Sequence, residues 1–289
     1  MSKELRSGIS CTGKEATMAM LEIQDDLVEL KFLNDIKSSN DNPFWFLDIL
    51  DTADKKMLNK LSKISVVASN ERVQLHAFPI DSLLTQVEKN EHVEWELSNY
   101  ITNFRRNDYI TDLKTMRTNA RDQYLDVMAI SMEKSFVFGL QTALAKRKLN
   151  VGVIGVEYFA AEEALLHSHP EVKNRQCAIA GISKDRIDIG ILMNNRLVHY
   201  SYNPYQSIPD AILFIRKVFD EFDAASLFVH GEGVTFDWQK NLRKEFGASY
   251  MLLNPFRRIR ISPMVSQFSR YLGSEYRFAS SVGSALWNE

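Results

Sequence analysis

The chain has 289 residues, with 35 Lys+Arg against 37 Asp+Glu, 45% hydrophobic and 25% charged. This is an ordinary globular composition, and its near-neutral charge argues against a nucleic-acid surface, which needs a basic face. Two cysteines, Cys11 and Cys177, make neither a disulfide framework nor a four-ligand zinc site; no apolar run reaches the roughly 18 residues of a membrane span, and residues 1–15 hold no apolar signal core.

The expectation is a chain of the reducing cytosol with two domains, or one large domain carrying an insertion. Residues 5–12, 17–23 and 27–33 read as a three-stranded meander, turned at Gly13-Lys14-Glu15 and at Asp25-Asp26. A polar loop, 38–42, precedes a helical pattern over 44–63, where Phe46, Leu47, Ile49, Leu50, Met57, Leu58 and Leu61 recur at helical spacing. Short strands are expected at 64–68 and 73–78, the second ended by Pro79. A long amphipathic helix follows over 82–104, capped by Asp81 or Ser82. Strands are then expected at 109–116 and 124–132, on either side of the polar stretch 119–122. A helix over 134–148 has a basic end, which suits a helix C-terminus. A strand at 151–154 and a helix at 156–167 complete an alternation that implies parallel pairing.

The pattern then repeats. Strands at 177–182, 186–193 and 196–202 form a second meander, turned at Ser183-Lys184-Asp185 and at the type I′ pair Asn194-Asn195. A helix over 208–222, a strand at 227–229, a helix over 238–246, a strand at 250–253 and a closing helix over 280–287 follow. The chain reads as a duplicated module, with an α+β piece over 66–121 interrupting the first copy.

Few residues point to chemistry. His167 and His169 flank Ser168 at a helix end and read as solvent-exposed; a metal would need further ligands from elsewhere. No Gly-x-Ser-x-Gly elbow is present, and both cysteines lie on strands, as buried structural thiols do. Glu94, Glu96, Glu162 and Glu163 fit solvated helix faces. No Walker A loop exists; Thr12-Gly13-Lys14 lacks its upstream glycine. Gly231 and Gly233, directly after a strand, suit either a close approach to a ligand or a tight turn into a helix. Residues 256–261 alternate basic and apolar side chains through Arg257, Arg258 and Arg260. That is a strand with one basic face, or a contact for an anionic partner or lipid headgroups.

Several segments together resemble the PilM family of type IV pilus assembly proteins, a branch of the actin-like superfamily. Gln86 to Ile101, with Val93-Glu94-Trp95-Glu96-Leu97, looks like that family's insertion helix. Val127 to Leu149, with Gly139-Leu140, looks like the strand and helix after it. Val153 to Ala160 resembles the next strand and helix, although the family tends to have Asp where Gly155 stands. Leu253-Asn254-Pro255-Phe256 and Ser281 to Leu286 match its C-terminal signature. The resemblance spans nearly the whole chain.

It implies an α/β, actin-like (ribonuclease H-like) duplicated fold with an inserted α+β subdomain in the first half. The first half would comprise 1–65 and 122–170, the insertion 66–121, the second half 171–273, and 274–289 a helix returning to the first half. It also exposes departures. Actin-like ATPases carry Asp-x-Gly at two phosphate-facing turns, where the acids organise metal and water. Here Ser10 and Thr12 align with the first pair, and Gly181 and Ser183 with the second, so both acids are missing. Ile187-Asp188-Ile189-Gly190 imitates the pattern from mid-strand.

A degenerate nucleotide site would comprise Gly13, Lys14, Ser183, Lys184, Gly231 and Gly233, with no catalytic residue and no metal ligand. No cofactor is expected, with Mg·ATP as the alternative for an active ATPase or kinase. By resemblance, the function is a cytoplasmic scaffold of a type IV pilus or type II secretion platform. It would dock the tail of a PilN-like single-span membrane protein beside the insertion, around Val87, Trp95 and Tyr100. Self-association fits the fold. The chain would be peripheral at the inner membrane through that partner, with no span of its own and no nucleic acid.

Overall fold

The computed structural model describes residues 3–38, 42–61, 63–68, 72–119 and 123–287. The middle of the expected 38–42 loop and most of the polar stretch 119–122 lie outside the described residues. From the N-terminus run β1 (Glu4–Thr12), β2 (Glu15–Gln24), β3 (Leu27–Lys37), a 3-10 stretch (Trp45–Thr52), α1 (Lys55–Leu58) and β4 (Lys63–Ala68). Next come β5 (Val73–Asp81), α2 (Gln86–Tyr100), β6 (Tyr109–Asn119), β7 (Tyr124–Glu133), α3 (Lys134–Lys146), β8 (Val151–Val156) and α4 (Glu157–Ser168). The remainder is β9 (Gln176–Ile182), β10 (Arg186–Met193), β11 (Arg196–Pro204), α5 (Ile208–Glu221), β12 (Ser226–His230), α6 (Phe236–Phe246), β13 (Tyr250–Leu252), β14 (Arg260–Ile261) and α7 (Ala279–Leu286).

The duplication is visible in the strand order. One sheet runs β14-β3-β2-β1-β4-β8 and the second β11-β10-β9-β12-β13. Each joins an antiparallel meander to two parallel strands at the meander's first member. Turn chemistry fixes the meanders: Gly13 (φ 56), Asp25 (φ 54) and the pair Asn194 (φ 51) and Asn195 (φ 62) supply the left-handed residues that tight hairpins demand. A third sheet, β5-β7-β6, carries α2 and interrupts the first module between β4 and α3. The sequence division at 121/122 parts β6 from β7, yet these strands pair along most of their length. Val73, Leu75, Met116, Met128 and Met132 of this sheet join the same core as Ile9, Leu50 and Leu140, so the insertion is packed onto the first half.

The third helix of each module meets its counterpart. α4 and α7 cross so closely that a Cβ on Gly283 would lie 1.7 Å from the Ala160 carbonyl oxygen. α7 also lies across β1 and β2, returning the chain to its first half.

Four expectations need correction. The helical pattern over 44–63 is two short pieces. Ala53 is extended (φ −91, ψ 154), and the Asp54 carboxylate accepts from the Lys56 N–H at 2.7 Å to start α1 afresh. Pro79 does not end its strand: β5 continues to Asp81, tolerated because β5 is an edge strand. α2 starts at Gln86, not 82, because Thr85 and Glu88 form a capping box, while Asp81 accepts from Leu83 N–H in a separate turn. Residues 256–261 are mostly turn, with only Arg260–Ile261 as strand. Arg257 there pairs with Glu171 and His169.

Candidate functional site

Two clefts among the described residues bear on the expected functions. The first is the cleft that the phosphate-facing turns of an actin-like ATPase would embrace. β1 and β2 bring Ser10, Thr12, Glu15 and Thr17; the start of α4 brings Glu157; the loop after β12 brings His230, Gly231 and Glu232; Arg277 and Ser280 close it. They enclose about 10 Å³, room for about one water, whereas a drug-sized or cofactor ligand needs roughly 300 Å³ or more. The Arg277 guanidinium crosses the opening, 2.7 Å from Glu15 and 3.3 Å from Asp35.

Of the six sequence-predicted nucleotide residues, Gly231 alone lines this space. Gly13 and Lys14 stand exposed at the first hairpin tip, and Lys184 is exposed in the turn between β9 and β10. Gly231 and Gly233 serve backbone packing. A Cβ on Gly231 would lie 2.4 Å from the Ile182 oxygen, and one on Gly233 would lie 2.3 Å from the Ser183 oxygen. The tight-turn reading therefore accounts for both. Asp188 is mid-strand, as the sequence spacing predicts. It is buried opposite Gly181, held by Arg186 at 2.7 Å and by the Tyr200 hydroxyl.

The sequence reading missed Glu157, Arg277 and His230. Glu157 is buried with Oε2 unpartnered. Burial pushes its carboxyl well above the ordinary range, and the charges of Glu232 and Asp188 act in the same sense; a hydrogen bond with Thr12 opposes them. His230 is buried with Nε2 unpartnered, and burial lowers its pKa to about 4. Among the described residues, no cluster of three or more His, Cys, Asp or Glu could hold a metal ion. The cleft as built does not fit a metal–nucleotide complex.

The second place is an apolar cleft of about 290 Å³ between the inserted sheet and the first half. Ile110, Ile130 and Met132 face it from the insertion; Val153, Phe159 and Trp287 face it from the first half. Val87, Trp95 and Tyr100 do not line it. They stand 66%, 61% and 52% exposed on α2, where Tyr100 stacks on His76 at 4.4 Å and Trp95 lies 6.0 Å from His92.

An ion pair ties the inserted sheet to α4. Lys114 of β6 reaches α4, with Nζ 3.4 Å from Glu162 and 4.0 Å above the Phe159 ring. Glu162 is not on a solvated face: it is buried, which pushes its carboxyl up while Lys114 opposes the shift. Glu163 is half-buried, also raised by burial. Lys114→Met is expected to destabilise the chain by about 1–2 kcal/mol, since it strands a buried carboxyl. Adding Glu162→Gln to Lys114→Met should recover most of that loss in urea unfolding; an unchanged double variant would show that the pair does not carry it.

The other candidates are structural. His169, expected in solvent, is buried, 4.8 Å from Phe228 and bonded to Arg257 at 2.7 Å and to Glu171 at 3.2 Å. Cys177 is buried, and burial raises its thiol to about 12, far from a reactive thiolate.

Residues 8–205 match the family described as Type IV pilus assembly protein PilM. No curated protein sequence matches the chain. Among solved structures, the chain is similar to one described as a PilM-PilN type IV pilus biogenesis complex, at 16% identity and TM-score 0.75, covering 97% of each chain. It is also similar to a Bacteroides thetaiotaomicron protein with an actin-like ATPase fold and unknown function (15% identity, TM-score 0.56, covering 88% of this chain and 92% of that one). A third is the cytoplasmic domain of EpsL, an inner-membrane component of the type II secretion system of Vibrio cholerae (12%, 0.53, 100% and 96%). The fold is actin-like, with an inserted α+β piece in its first half. No helix among the described residues is long and apolar enough to cross a membrane.

Proposed function

The chain belongs to the PilM family of type IV pilus assembly proteins, and from that premise we propose that it is a scaffold at the cytoplasmic face of the inner membrane. It docks the tail of a PilN-like single-span protein in the apolar cleft, and it turns over no ATP. The observation that carries this reading is the pairing of an open 290 Å³ apolar cleft with a nucleotide cleft reduced to about 10 Å³. The resemblance to a solved PilM-PilN complex supports the kind of partner. Asp112 is the one charged residue in the lining among the described residues, which favours a tail with a basic residue beside its apolar ones. Binding works here by shape and desolvation, so no catalytic group is required.

The test is calorimetry with a synthetic peptide of the tail of the single-span protein encoded beside this chain. Saturable binding is expected, and Ile110→Asp, at a half-exposed position of the rim, should weaken it about tenfold or more. Mg·ATP should give neither binding heat nor phosphate release. Peptide that fails to bind would remove the docking role; metal-dependent ATP binding with phosphate release would establish the ATPase alternative.

A further inference from the structure

Trp287 follows α7, and its position is fixed from two sides. Its carbonyl oxygen accepts a hydrogen bond from Arg6 Nη1 of β1 at 3.0 Å. Its indole lies directly on the backbone of Gly155 in β8, where a Cβ would stand 2.2 Å from Cη2 and 2.6 Å from Cζ3. Any other residue at 155 would drive the ring off its seat. Trp287 lines the 290 Å³ apolar cleft and also a cavity of about 20 Å³ shared with Arg6 and Lys63. Trp45 and Trp238 are buried elsewhere, and Trp95 is exposed on α2.

We propose that Trp287 is the aromatic anchor of the docking cleft and that Gly155 is the positioning residue that seats it. This rests on the docking reading above. The indole gives the cleft a flat, rigid wall whose backbone is already tied down, so little conformational entropy is lost when a ligand covers it. Aromatic residues placed this way dominate binding energy at interfaces. The ligand it takes is an apolar side chain of the partner tail, branched or aromatic, lying between the indole and Ile110 or Ile130 of the inserted sheet. The family match extends only to residue 205, so the proposal assigns a contact from outside the matched segment.

The experiment titrates the tail peptide into the unaltered chain, Trp287→Ala, Trp287→Phe and Gly155→Ala, each first shown folded by its thermal transition. The indole signal is the difference in emission between the unaltered chain and Trp287→Phe. Expected are a blue shift and reduced acrylamide quenching on binding. Affinity should fall about thirtyfold for Trp287→Ala and about threefold to tenfold for Trp287→Phe and Gly155→Ala. A peptide that binds folded Trp287→Ala within about twofold of the unaltered chain, with no change in the indole signal, overturns the anchor and leaves the docking cleft standing. A peptide that does not bind the unaltered chain at all overturns both.

Discussion

Gly283→Ala is expected to lose about 3 kcal/mol of stability, a large share of what holds a domain together. The added methyl would lie 1.7 Å from the Ala160 oxygen and 2.6 Å from the Ala160 carbon. Both are backbone atoms, and neither can swing aside as a side chain can. α4 cannot retreat either, because Tyr158, Ala161 and Leu165 on the same helix are packed in the core. Gly139→Ala supplies the contrast. There the new methyl meets Phe44 Cζ at 2.7 Å, the far end of a partly buried side chain. Since alanine also favours α3 by up to about 1 kcal/mol, that change should be nearly neutral. Urea midpoints compare the two directly; equal midpoints would mean that the α4–α7 crossing yields more readily than its geometry indicates.

The second large effect is an acid limb in stability. His230 is neutral in the folded chain down to about pH 4, while in the unfolded chain it titrates near its ordinary 6.5. Between these values the unfolded state holds the extra proton, so stability falls as pH falls from 6.5 through 4. The loss is on the order of 3 kcal/mol when complete. His76, His167, His169 and His199 are also lowered by burial and act in the same direction. The share of His230 is therefore read as a difference in slope between the unaltered chain and His230→Gln. That comparison is insensitive to the packing the variant loses at every pH. Glu157 acts in the opposite sense: its contribution is fully present below the unfolded value of 4.5 and is lost as pH rises through its raised folded value. Stability should thus decline on both sides of a maximum. Parallel slopes for the unaltered chain and His230→Gln would refute the assignment.

What the sequence makes legible is what neighbours in the chain decide. The two meanders follow from alternation and from turn residues such as Asn194-Asn195, and the closing helix from its small residues. The break at Ala53 and Asp54 is harder to read, because apolar residues keep helical spacing across it while a single cap restarts the helix. α2 misleads for another reason. Its sequence offers many apolar positions, but Val93 and Leu97 are the ones it buries, and Val87, Trp95 and Tyr100 face out. Burial of Glu162 and His169 could not be anticipated, since their partners Lys114 and Arg257 arrive from distant segments. The missing acids at both turns were readable residue by residue. The closure of the cleft was not, because Arg277 closes it from the end of the second module onto Glu15.

The return of α7 to the first half sets the order in which a ribosome could complete this protein. The second sheet draws its strands from one continuous run, β9 to β13, and can assemble as it emerges. The first sheet cannot, because the helix lying across β1 and β2 is synthesised only after every strand of the second sheet. Until then, Gly8 and the surface around it stay uncovered, although a Cβ there would touch Ser281 and Ser284 once α7 has docked. The half made first is finished after the second sheet, so a nascent chain that lacks α7 would hold the strands of the second sheet beside an open first half. Such exposed apolar surface recruits chaperones and invites aggregation, and synthesis through α7 becomes the checkpoint for a usable docking cleft.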